Sequence, residues 1–101
     1  MAIMSNNEER IIMLTELLRK KTNYVFAIKV RDCISRLENV HEIIIPQYRM
    51  PNIDSQYWFD YIVKQAREIQ SFAINQPGKR FIPTDEAYAI AIIRYVREVR
   101  N

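Results

Sequence analysis

His41 is the only histidine and Cys33 the only cysteine in a chain of 101 residues, so each kind of chemistry has one possible carrier. An imidazole can move protons near neutral pH, and a thiolate can act as nucleophile or metal ligand. Cys33 falls on the apolar face of a predicted helix, with Phe26, Val30 and Leu37. There it reads as a small buried hydrophobe. A lone cysteine also excludes an intrachain disulfide. Ser5, Ser35, Ser55 and Ser71 show no Ser/His/Asp arrangement. Gly78 is the only glycine, so there is no glycine-rich phosphate loop. Glu8-Glu9 and Asp85-Glu86 are adjacent carboxylates. Both pairs fall where a helix begins and complement the positive end of its dipole. The expectation is a protein with no catalytic, metal or cofactor site.

Two spacings around His41 remain. Arg36-Leu37-Glu38-Asn39-Val40-His41 resembles the Arg-x4-His motif of HEPN-type ribonucleases. That resemblance implies a small helical bundle that cleaves RNA with Arg36 and His41. A polar residue often follows the Arg in that family, where this chain has Leu37. The motif also sits after the second predicted helix rather than near the last. Glu38-x-x-His41 resembles the Glu-x-x-His of di-iron carboxylate bundles, which need two such motifs and two further Glu. One His per chain would place such a site between subunits. The simpler expectation for His41 is a helix-end residue interacting with the dipole.

The elements that would carry these residues are helical. Ser5-Asn6-Asn7-Glu8 fits a capping box. A helix follows over Asn6–Lys21, with Ile11, Leu14, Leu17 and Leu18 on one face, Met13 at its edge, and a favourable Glu16–Lys20 pair. Thr22-Asn23 interrupts it. Tyr24–Val30 has strong strand propensity. Phe26, Val30, Cys33, Leu37 and Val40, however, recur at threes and fours, with Ala27 and Ile34 beside them. That period predicts a helix over Tyr24–Asn39. His41–Ile53, with Ile43-Ile44-Ile45 between charged residues and prolines, reads as an extended connection.

Asn52, Asp54 or Ser55 is placed to cap a third helix, which opens on Tyr57-Trp58-Phe59-Asp60-Tyr61. A helix cannot turn four clustered aromatics into one core. Trp58, Ile62, Ile69, Phe72 and Ala73 form its main face, which leaves Tyr57 and Tyr61, one turn apart near Lys64, as surplus. Gln76-Pro77-Gly78 ends the helix. Thr84 caps the last helix, Asp85 to about Val99, whose main stripe is Tyr88, Ile92, Tyr95, Val96 and Val99. Opposite that stripe lie Ile90 and Ile93 with Arg94, Arg97 and Arg100. A mixed Ile/Arg face suits contact with a second copy of the chain. The predicted fold is therefore all-α: one domain over residues 1–101, four helices and an Ile/Pro-containing connection after the second. The alternative is α+β, with strands near 24–30 and 42–48.

Composition bounds the function more than it names it. The formal net charge of +3 and pI near 9.2 permit an acidic partner or nucleic acid. Arg outnumbers Lys ten to five, which favours bidentate contacts with carboxylate or phosphate. Met1–Glu9 lacks the charged start and apolar run of a signal peptide, and no apolar run approaches a membrane span. A soluble, cytoplasmic protein is expected. The favoured reading is a non-enzymatic interaction module: a homodimeric adaptor, an inhibitor (virus-encoded ones included) or a complex subunit. Its contact residues would be Ile90, Ile93, Arg94, Arg97, Tyr57 and Tyr61. Nucleic-acid binding is the alternative, through Arg94, Arg97, Arg100, Lys79, Arg80 and Lys64, with Arg19-Lys20-Lys21 as a second cluster.

Overall fold

The computed structural model describes residues 6–37, 57–78 and 80–98. They form four helices: α1 (Asn6–Lys21), α2 (Tyr24–Arg36), α3 (Trp58–Asn75) and α4 (Thr84–Glu98). Among the described residues there is no strand, and the fold is a small all-α domain. The segment 24–30, whose residues favour strands individually, is helical. Its apolar period wins because Phe26, Ala27, Val30 and Cys33 all reach the core from a helix. The Ile/Pro connection and the possible strand near 42–48 lie outside the described residues, as do Ser5 of the capping box and Asn52, Asp54 and Ser55.

Several of the helix boundaries have identifiable causes. The carbonyl of Leu18 accepts from the backbone N–H of Thr22 at 2.8 Å and from its hydroxyl at 2.7 Å. That closes α1. One residue on, Asn23 is extended and its Oδ1 accepts from the N–H of Phe26 at 2.8 Å, the N-cap anticipated there. Two residues thus end one helix and start the next. α2 stops at Leu37, whose N–H is shared between the carbonyls of Cys33 and Ile34. At the head of α3 the N-cap position belongs to Tyr57, whose side chain makes no capping bond. Gly78 has φ +97°, the left-handed conformation that favours glycine, in the turn after α3. α4 begins at Thr84, one residue earlier than anticipated, with the Pro83 carbonyl taking the N–H of Ala87 at 2.9 Å. Thr84 is therefore inside the helix rather than at its cap.

α4 is the centre of the fold. It packs against α1, α2 and α3, while α1 also packs on α2. Ala87, Ala89, Ile90, Ala91, Ile92, Ile93, Tyr95 and Val96 are all buried. A helix that is apolar on every side must be surrounded, and the alanines let its neighbours approach closely. The other three helices are one-sided. α1 buries Leu14 and Leu18, and α3 buries Trp58, Ile62, Gln65, Ala66, Ile69 and Ala73. Tyr95 joins α4 to the head of α3. Its ring lies 6.4 Å from that of Trp58, edge to face, and 5.8 Å from that of Tyr61. On the α2 side, Phe26 meets Tyr88 edge to face at 5.0 Å. Gln70 fixes where α4 enters: its amide donates to the carbonyl of Ile82 at 3.0 Å and to the Thr84 hydroxyl at 3.4 Å. No helix among the described residues is long and apolar enough to cross a membrane.

Two stability measurements follow from this arrangement. Ile93→Asp places a carboxylate in the core and should cost more than about 4 kcal/mol, enough to abolish cooperative melting followed by circular dichroism. Gln70→Ala should cost about 1 kcal/mol and lower the melting temperature by several degrees; an unchanged melt would remove Gln70 from its role.

Candidate functional site

Cys33 and Arg36 face α4 near the start of that helix. The Cys33 thiol donates to Asp85 Oδ2 at 3.7 Å, and Arg36 Nη2 donates to Cys33 Sγ at 3.4 Å. Beside them is a cavity of about 250 Å³ lined by Cys33, Arg36, Leu37 and Glu86. Glu86 is engaged by Arg80 at 2.7 Å. Burial pushes the Cys33 thiol above its ordinary value of 9.0; Arg36 opposes this, and the Asp85 carboxylate adds to it. The net effect keeps the thiol protonated at neutral pH, the unreactive form. The hydrogen bond to Cys33 is the main influence on Arg36 and raises its pKa further. Burial likewise pushes the Tyr88 phenol up, and Arg67 opposes it. Arg36 is the described half of the ribonuclease-like spacing; Glu38 and His41 lie outside the described residues. Among those described, no group of three or more His, Cys, Asp or Glu is placed to hold a metal.

The two isoleucines of the anticipated Ile/Arg face on α4 are not on the surface. Ile90 is 3% exposed and Ile93 6%, both inside the single chain's core. The expectation took them for a second, outward face. α4 has no such face because three helices surround it. Arg94 is half-buried. Arg97 belongs to α4, but its side chain is outside the described set, and so are Lys79 and Arg100. Arg80 is committed to Glu86, and Lys64 is exposed on α3. The tyrosine pair also divides. Tyr57 is exposed, whereas Tyr61 is half-buried against Tyr95 and belongs to the rim of the core.

A different surface is open. Tyr24 is 64% exposed, Val25 62% and Ile28 38%, all on the first two turns of α2. They are the apolar residues left over once Phe26, Ala27, Val30 and Cys33 have turned inward. That remainder was the available signal in the sequence, since no core stripe needs them. Tyr24 and Ile28 are one turn apart and line a cleft between α1 and α2 with Thr15, Glu16, Arg19 and Arg31. Arg19 holds Glu16 at 3.1 Å, in place of the anticipated Glu16–Lys20 pair. Lys20, Lys21, Lys29 and Arg31 are exposed and make no ion pair among the described residues. Residues 16–32 contain five cations and two carboxylates, while the rest of the chain contains ten of each. The whole formal surplus of +3 therefore resides at this elbow.

No protein-family model matches the chain, and none of the curated proteins or solved structures compared with it does either.

The Cys33 environment has a pH signature. A thiol whose folded pKa lies above its unfolded one contributes stability that is whole below the unfolded value and is lost as pH rises through the folded value. Urea unfolding should show wild type losing stability relative to Cys33→Ala as pH climbs past 9.0. A difference that stays constant from pH 7 to beyond that point would contradict the burial of the thiol.

Proposed function

We propose that this chain is a small non-enzymatic interaction module that engages a protein partner through the α1–α2 elbow. The observation that carries the reading is the exposed trio Tyr24, Val25 and Ile28 on a helix start that is already capped and braced. A preorganised surface loses little freedom on binding. Tyr and Arg are enriched at protein interfaces, and Tyr24, Arg19 and Arg31 lie together here. Adaptor, inhibitor and complex subunit are all compatible roles. Homodimerisation through Ile90 and Ile93 is not part of the proposal, because separating either from the core would unfold the subunit.

Nucleic-acid binding is the second reading, favoured by the same cations beside an exposed tyrosine. It is weaker at this site. Val25 and Ile28 offer no aromatic face for a base, and Glu16 stands in the cleft.

Affinity capture from the native host, with the full chain and with Ile28→Asp, tests the reading. Ile28 leaves 38% of its surface to solvent, so the variant should stay folded at a cost of about 1 kcal/mol. The expected result is a protein retained by wild type and lost by Ile28→Asp. Identical capture by both would refute the elbow as the contact. RNA cleavage that disappears in His41→Ala would replace the proposal with the ribonuclease reading.

A further inference from the structure

The cleft between α1 and α2 specifies its occupant more closely than exposure alone. Its floor is Thr15 and Ala27, both buried and both small. The Thr15 hydroxyl is already spent on its own helix, donating to the carbonyls of Ile11 and Ile12 at 2.9 Å each. What remains on the floor is methyl surface. Tyr24 and Ile28 supply apolar material on the α2 side. The cleft is half open, with a volume of about 140 Å³. Small-molecule pockets run to roughly 300–1,000 Å³, so this cleft has the scale of one side chain.

The rim adds a sign. Arg19 and Arg31 flank the cleft, and among the described residues only Arg19 has a carboxylate partner. Lys20, Lys21 and Lys29 lie in the same short stretch, which holds the chain's entire formal excess of positive charge. An incoming segment is therefore favoured if it carries carboxylates around an apolar anchor. A basic segment would meet like charge at close range. A nucleic acid would match the charge but would leave the methyl-lined cleft unfilled.

We propose that the α1–α2 cleft docks an acidic peptide segment of a partner protein, with one aliphatic side chain seated over Thr15 and Ala27 and a carboxylate on Arg31. This rests on the interaction reading above and narrows it to a chemical class. The closest physical analogy is a short motif laid into a helical groove, in which one or two anchors set affinity and flanking charges set register and choice of partner.

A random-peptide display library selected against the full-length chain tests the proposal. The expected consensus is an aliphatic residue flanked by Asp or Glu. Binding of the selected peptide should weaken as salt rises. Ile28→Asp should weaken it at least about tenfold, and Arg31→Glu by about tenfold. Arg67→Glu makes the same change of charge on exposed α3, which has no extensive contact with α1 or α2, and should leave affinity unchanged. No enriched peptide, a consensus without acids, or equal loss in all three variants would overturn the proposal. Two alternative occupants have their own signatures. A dimer in sedimentation equilibrium that Ile28→Asp dissolves would assign the cleft to a second copy; the acidic peptide falls and the interaction reading stands. A single-stranded oligonucleotide that binds the elbow and displaces the peptide would overturn both.

Discussion

The burial of α4 is the constraint on which the other elements depend. Its sequence offers apolar or small residues in every direction from Ala87 to Val96. Such a helix has no solvent-compatible side and would expose a large apolar area if any neighbour were removed. α1, α2 and α3 are each amphipathic and each supply one wall. The division of labour is unequal. α3 meets the others mainly through α4, whereas α1 and α2 also support one another. The described structure is thus a central rod with a two-helix brace on one part of its surface and a single long helix on another. Tyr95 illustrates the coupling: one fully buried phenol ring touches both Trp58 and Tyr61.

Polar groups collect where the rod enters. Gln70 holds the approach to α4 through Ile82 and Thr84, and Asp85 meets the Cys33 thiol that Arg36 also contacts. Each of these contacts has a structural use, because the first turn of a helix leaves backbone donors and its neighbours need a fixed register. The cluster contains a thiol, a guanidinium and a carboxylate, which in isolation resembles reactive chemistry. Its electrostatics point the other way, since burial and Asp85 both hold the thiol in its protonated form. The elbow between α1 and α2 differs in kind. There, apolar groups and cations without an ion pair among the described residues remain exposed after the local helix ends have been satisfied.

Much of the architecture was legible from periodicity and punctuation. The limits of α1 follow from its polar start and basic end. Asn23 was recognisable as a cap because a helical period resumes right after it. The strand-like residues at 24–30 were correctly overruled by that period. The error on α4 has a clear origin. Ile90 and Ile93 lie opposite Tyr88, Ile92, Tyr95 and Val96, and a two-sided apolar pattern is equally consistent with an exposed interface and with a helix enclosed by its own chain. The number of covering helices decides, and that is a tertiary fact. Tyr61 shows the same limit: only the position of Tyr95 reveals its packing partner. Tyr24, Val25 and Ile28 fall outside every apolar stripe, and a periodic pattern carries no information on residues that complete no stripe.

The central place of α4 also has a temporal side. During synthesis it emerges after all three helices that enclose it. At roughly 5–20 residues per second, several seconds separate the completion of α2 from that of α4. Through that interval Leu14, Leu18 and Val30 have only the α1–α2 contact and lack the wall that α4 supplies. The nascent chain must carry the α4-facing part of their apolar surface uncovered, in reach of chaperones and of other nascent chains. Folding is then an enclosure completed from the last helix backward, and a stalled or frameshifted product that ends before Ala87 is three amphipathic helices without the rod that unites them.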